Sequence, residues 1–204
     1  MKNLAKVLLL AGALSLPFGI SKAQEKDKEL KSSLSFFVSS YSPQSNSLSE
    51  RYGRSLSFGG GFGSEVVSNL SIGGTVSYLS DEAEVPGDSH GMSAKTKMSM
   101  LDISTRVEYL IPFKSGYFYI GGDFSLMNFN EEATLTIPQN GTLISKYENR
   151  DVTATNMGGG VHAGIDFDLD PNSDAPRIFI EASIKTGEEK SGGSYLTIGV
   201  RKSL

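Results

Sequence analysis

Tyr195-Leu-Thr-Ile-Gly-Val-Arg-Lys-Ser-Leu204 closes the chain, with Leu196, Ile198, Val200 and Leu204 on one parity and Tyr195, Thr197, Gly199, Arg201 and Ser203 on the other. Alternation with a period of two sends successive side chains to opposite faces of a strand. One face is aliphatic, and the other carries glycine, hydroxyls and a guanidinium. Seven earlier segments repeat this division.

The first runs from Ser33 to Tyr41, setting Leu34, Phe36 and Val38 against Ser33, Ser35, Phe37, Ser39 and Tyr41. The second, Ser55 to Gly63, sets Leu56, Phe58 and Phe62 against serines and glycines. In the third, Leu70, Ile72, Val76 and Tyr78 oppose Ser71, Gly73, Thr75 and Ser77. In the fourth, Leu101, Ile103, Val107, Tyr109 and Ile111 oppose Asp102, Ser104, Arg106 and Glu108. The fifth sets Phe118, Ile120, Phe124 and Leu126 against Tyr117, Tyr119, Gly121, Asp123 and Ser125. The sixth sets Met157, Val161, Ala163, Ile165 and Phe167 against Asn156, Gly158, Gly160, His162, Gly164 and Asp166, and the seventh sets Ile178, Ile180, Ala182 and Ile184 against Phe179, Glu181, Ser183 and Lys185.

Soluble proteins put apolar side chains inside, but here the charges share the face with the smallest residues. A closed sheet with a greasy exterior and a polar interior satisfies both this parity and the demand that backbone polar groups in a bilayer be paired. The expected fold is all-β: an eight-stranded antiparallel up-and-down transmembrane β-barrel with a lipid-facing apolar exterior and a polar lumen. Lys202 is the one charge on the apolar set, near a strand end where a cation costs little.

The connections alternate in length. Ser64 to Asn69, Pro112 to Gly116 and Asp168 to Ala175 are expected as periplasmic turns, and Ser42 to Arg54, Ser80 to Lys97, Asn128 to Asp151 and Thr186 to Ser194 as external loops. This puts Asn140 outside the cell and Asn172 in the periplasm. Asn140-Gly141 reads as a hairpin turn extending the third loop, with Pro138 beside it suited to a turn and not to a paired strand.

Strand number, parity and passages such as Asn69-Leu-Ser-Ile-Gly-Gly-Thr-Val-Ser-Tyr78 make the chain resemble the small eight-stranded outer-membrane barrels, similar to the transmembrane domain of outer membrane protein A and its single-domain relatives. The resemblance covers residues 31–204 and implies an architecture, not an activity. Two departures stand out: no peptidoglycan-binding domain follows the barrel, and Leu204 stands where an aromatic residue is usual.

At the N-terminus, Lys2 and Lys6 precede an apolar stretch from Val7 to Leu16, and Ser21-Lys22-Ala23 offers a small-x-small cleavage site. Residues 1–23 are therefore expected to be a signal peptide, 24–30 a short polar segment and 31–204 the barrel domain. The apolar stretch is about half the ~20 residues of a spanning helix. The chain has no Cys and no Trp, two His and 23 Gly, so neither a disulfide nor a lipidated N-terminal Cys is available. Its net charge of -4 includes Lys2, Lys6 and Lys22, so the mature chain stands at -7, which disfavours nucleic acid as a partner.

The lumen parity carries Asp102, Arg106, Glu108, Asp123, His162, Asp166, Glu181, Lys185 and Arg201. An eight-stranded interior is just wide enough for side chains to fill, so these groups are expected to pair as a structural cluster and occlude the lumen. If Ile111 faces Phe118, Arg106 comes opposite Asp123. No catalytic, cofactor or metal residue is assigned. His162 has no adjacent Ser to activate, and His90 is a lone imidazole in a loop. The runs Gly59-Gly-Gly-Phe-Gly63 and Gly158-Gly-Gly160 lack the Lys-Ser or Lys-Thr of a phosphate cradle.

The function expected is that of a non-enzymatic integral outer-membrane protein, structural or acting at the surface through four external loops. Its partners would be outer-membrane lipid, the barrel-assembly machinery during biogenesis and an extracellular ligand at the loops. One alternative is an outer-leaflet lipid-modifying enzyme on the same barrel. Another, a soluble barrel for small hydrophobic ligands, needs the opposite parity.

Overall fold

The alternating segments form long antiparallel strands. A computed structural model describes residues 31–85, 93–139, 142–146, 152–169, 175–187 and 192–204. Its strands are β1 (Ser32–Pro43), β2 (Ser55–Val67), β3 (Leu70–Val85), β4 (Ser93–Phe113), β5 (Gly116–Gln139), β6 (Thr142–Lys146), β7 (Val152–Asp168), β8 (Arg177–Gly187) and β9 (Gly193–Ser203). All but β6 pair with a neighbour on each side, and the β1–β9 and β4–β5 ladders close the sheet into an eight-stranded barrel. Closure leaves no long strand edge facing lipid. The signal and polar segments expected at 1–30, together with His90, Asn140 and Asn172, lie outside the described residues.

Short connections gather at one end of the barrel. Ser68-Asn69 joins β2 to β3, with Asn69 in the left-handed region (φ 67°) that Asn tolerates, and Lys114-Ser115 joins β4 to β5. The connections from β1 to β2, β3 to β4, β5 to β7 by way of β6, and β8 to β9 are at the other, loop end.

The register sets the apolar band. On β4 the outward residues run from Leu101 through Ile103, Val107 and Tyr109 to Ile111. Ten residue steps at ~3.4 Å, tilted ~40° from the barrel axis, span about 25 Å, the height of a lipid-facing band. Phe36 and Met157 are among the most open of this set, 67% and 65% exposed.

Above this band both faces change character at one level. Outward positions become Ser80, Ser99, Asn128, Asn130, Thr153 and Thr155, then Glu82, Lys97 and Glu132. Inward positions become Leu79, Met98, Met100, Met127 and Phe129, all buried. The barrel thus continues beyond the membrane band as a wall of soluble type, apolar inside and polar outside. The parity that a soluble barrel would need throughout is present only here, and side chains fill its interior.

This continuation corrects the expected loops. β3 reaches Val85, β4 begins at Ser93 and β5 runs to Gln139, so much of Ser80 to Lys97 and Asn128 to Asp151 is paired strand. β6 folds back on β5 with Gln139 opposite Thr142, the frame of a hairpin around residues 140–141. Pro138 is paired, opposite Leu143, contrary to its expected place in a turn. It lies beyond Thr136, the last β5 residue to pair with Ser93 of β4, so its missing N–H is tolerated as at an edge.

Within the stretch Ser42 to Arg54, expected as loop, lies a helix, α1 (Asn46–Tyr52). Leu48 and Tyr52, four residues apart, share one face and are buried against Tyr41, Leu79, Met98, Met100, Phe129 and Tyr195. Burying Leu48 alone stabilises this contact by about 1.5–3 kcal/mol. Arg51 Nη1 reaches Glu131 Oε1 at 2.5 Å and the Tyr52 hydroxyl donates to the same oxygen at 3.3 Å, so α1 sits across the barrel mouth.

Candidate functional site

The lumen is built from unequal walls. β1, β2 and β3 turn inward Ser33, Ser35, Ser39, Gly59, Gly61, Ser71, Gly73, Thr75 and Ser77, whereas β4, β5, β7, β8 and β9 contribute the long charged side chains. In so narrow a barrel, large groups on one wall require small ones opposite. Phe37 shows the constraint, because a Cβ at Gly59 would stand 2.4 Å from its ring. The Gly59 to Gly63 run is therefore a packing surface.

All nine lumen candidates come together inside the band. Arg106 stands opposite Asp123 in register, with Nε 2.8 Å from Oδ1; its other nitrogens lie 2.7 Å from Glu181 and 3.6 Å from Glu108. His162 is 2% exposed and places Nδ1 3.1 Å from Asp123 Oδ2 and Nε2 3.5 Å from Glu108 Oε1. Towards the loop end, Lys185 Nζ contacts Asp102 at 2.5 Å and donates to Ser104 Oγ at 2.7 Å, and Ser104 is linked to Ser125 at 2.8 Å. Towards the turn end, Arg201 lies 3.2 Å from Asp166 and 3.6 Å from Glu108. Every charge in the cluster has an opposite charge within reach, as burial requires.

Three further residues take part. Arg177 contacts Asp166 at 3.6 Å and stands 5.1 Å from the Tyr117 ring centroid. The Tyr119 hydroxyl donates to Glu181 at 3.2 Å. Ser104 bridges Lys185 and Asp102. Arg177 begins its strand one residue before the expected segment; Tyr119 and Ser104 stand on the expected lumen parity, and their contacts with Glu181 and Lys185 reach strands that are not their neighbours.

Two small voids interrupt the packing, holding about 20 and 30 Å³ for water centres. Both are bordered by Ser35, Thr75 and Arg106, and each has room for about one or two water molecules. The Arg106 guanidinium and its carboxylates stand between them.

Chemically this is an arrangement of buried carboxylates and cations. The two nitrogens of His162 meet carboxylates and not a hydroxyl, so the geometry for His-activated nucleophilic attack is not assembled around it. Glu108, His162 and Glu181 offer donor atoms within 4.8 Å of one another, a grouping with metal-ligand chemistry. At the loop end, the outward charges Glu82, Lys95, Lys97 and Glu132 alternate in sign, with Lys95 Nζ 2.9 Å from Glu82.

A family model described as outer membrane protein beta-barrel domain matches residues 22–200. No curated protein matches the sequence. Among solved structures, the crystal structure of Neisserial surface protein A is similar over 86% of this chain and 97% of that one, at 15% identity and a TM-score of 0.53. That of Ail, the attachment invasion locus protein of Yersinia pestis, is similar over 85% and 99%, at 14% identity and a TM-score of 0.50. At such identities the likeness is one of fold.

Proposed function

Because the chain belongs to the outer membrane β-barrel domain family, and is an integral outer-membrane protein on that ground, we propose that its lumen is structural and that it acts without catalysis through the loop end, held outside the cell. The observation that carries this reading is the simultaneous reversal of polarity on both faces above the band. The wall that projects past the lipid is a second, soluble-type core capped by α1, presenting Glu82, Glu84, Lys95, Lys97 and Glu132 outward. A rigid, charged, closed surface suits contact with an external ligand or with neighbouring envelope components. The paired lumen charges, packed closely around small voids, support an occluded interior. Outer-membrane lipid is the barrel's solvent, and the barrel-assembly machinery is its partner during insertion. Residues 1–23 serve as the export signal in this reading.

Single Cys residues in this Cys-free chain test the orientation: Glu132→Cys is expected to react with an impermeant maleimide on intact cells and Lys114→Cys only after the outer membrane is opened. The reverse pattern would overturn it. Lipid mass spectrometry after incubation with the purified protein is expected to show no gain or loss of acyl chains. Acyl change that disappears in His162→Ala would replace this reading with the lipid-modifying one.

A further inference from the structure

His162 and Glu108 are incompletely used. His162 Nδ1 lies 3.1 Å from Asp123 Oδ2; in the neutral tautomer that donates Nδ1–H to this oxygen the lone pair is on Nε2, and this buried nitrogen has no hydrogen-bond partner. A buried acceptor left in this state is costly and calls for an explanation. Glu108, 7% exposed, has no contact shorter than the 3.5 Å to Nε2, its separations from Arg106 and Arg201 being 3.6 Å each. At 3.5 Å the imidazole nitrogen and the carboxylate oxygen are too far apart for a good hydrogen bond. Two donors bound to one tetrahedral zinc ion at ~2.0–2.1 Å stand about 3.4 Å apart.

The surroundings agree. Glu181 brings a third donor within 4.8 Å of the other two. Gly121 keeps the place open, because a Cβ there would lie 2.5 Å from Nε2. The Asp123 carboxylate fixes the ring from behind, as carboxylates do for metal-ligating histidines. One of the voids borders Glu108 and has room for a water as a further ligand. Within the cluster, five carboxylates (Asp102, Glu108, Asp123, Asp166 and Glu181) face four permanent cations (Arg106, Arg177, Lys185 and Arg201), so the balance stays on the acidic side.

We propose that the lumen binds one divalent transition-metal ion of the zinc class through His162 Nε2, Glu108 and Glu181, with Asp123 as the positioning residue. The three ligands come from β7, β4 and β8, so the ion ties together strands that are not all adjacent. The site is structural, and it is independent of how the loop end acts.

The test uses the membrane-extracted protein in detergent, stripped with chelator and dialysed against Zn²⁺ alone, with Co²⁺ as a spectroscopic probe. One ion per chain is expected, with Co²⁺ absorption of a nitrogen- and oxygen-ligated site and a rise in thermal stability. Binding should be lost in His162→Gln and in Glu108→Gln, weakened about 10- to 100-fold in Asp123→Asn, and retained in His90→Gln. Heat-dependent gel mobility identifies the folded variants, and if His162→Gln does not fold, Glu108→Gln decides. No stoichiometric ion on the wild type, binding that persists in the ligand variants, or binding that disappears with His90 would each overturn the site.

Discussion

Arginine placed along the outward parity of β4 measures the membrane band directly. The outward residues from Leu101 to Ile111 centre on position 106, and each residue step moves about 2.6 Å along the membrane normal at ~3.4 Å rise and ~40° tilt. Val107, 48% exposed and one step from the centre, therefore lies about 3 Å from the midplane, whereas Ile111, five steps away, lies about 13 Å from it, at the interface. The expected cost is about 2–4 kcal/mol for Val107→Arg, falling to about 0–1 kcal/mol for Ile111→Arg, with Tyr109→Arg between. Reversible urea unfolding from lipid vesicles reads all three on one scale. Ser125→Arg, at a fully buried lumen position hydrogen-bonded to Ser104, serves as the opposite-parity control and should lie off this line. A flat profile across the three outward sites, or a larger cost at Ile111 than at Val107, would refute the assigned band.

Four further outcomes are expected. Arg106→Leu deprives Asp123, Glu181 and Glu108 of a shared cation and should destabilise the barrel by about 3–5 kcal/mol, less than additively with Asp123→Asn, as a double-mutant cycle in vesicles would show. Leu48→Ala removes the side chain that plugs the mouth; its loss of about 2–5 kcal/mol should appear as faster proteolysis between Ser42 and Arg54, with the urea midpoint of the barrel unmoved. The hydrogen bond and charge of Lys95 hold the Glu82 carboxyl below the usual carboxylate range, so the pair's contribution is present above that range and lost as pH falls through the lowered pKa; Lys95→Ala should move the NMR titration of Glu82 upward, and an unchanged midpoint would contradict the pairing. Intact mass of the membrane-extracted protein should begin at Gln24, and a mass that retains residues 1–23 would remove the export signal from the reading.

The fold was legible because a bilayer imposes the same rule on every strand, so Leu101 to Ile111 or Phe118 to Leu126 declares its outer face without any contact being known. The rule stops at the edge of the lipid. Beyond it the alternation goes on with reversed polarity: Met98 and Met100 are inside and Lys97 and Ser99 outside, whereas a reading keyed to apolar-outside runs the loop to Lys97 and recognises the strand only from Leu101. The helix Asn46–Tyr52 is too short to declare itself by periodicity, and its reason to form, the pocket for Leu48 and Tyr52, is assembled from five strands. Lumen membership followed from parity, and the short β4–β5 turn fixed Arg106 opposite Asp123. Lys185 with Asp102, Arg106 with Glu181 and Arg201 with Glu108 cross the barrel, so they depend on closure and stagger, which one strand's sequence does not contain.

The change of polarity above the band also acts as a mechanical stop. Sinking the barrel by one residue pair towards its turn end would draw Ser80, Ser99 and Asn130 into hydrocarbon, and one pair more would add Glu82, Lys97 and Glu132, side chains that lipid cannot solvate. Raising it would strip lipid from Tyr78 and Leu101 beneath that collar and draw the turn residues Asn69, Lys114 and Ser115 towards hydrocarbon. The vertical position is thus held between a hydrophilic collar at one rim and polar turns at the other. Insertion acquires a direction as well: the collar must cross the bilayer once, and after it has crossed, the same charges resist its return like the teeth of a ratchet.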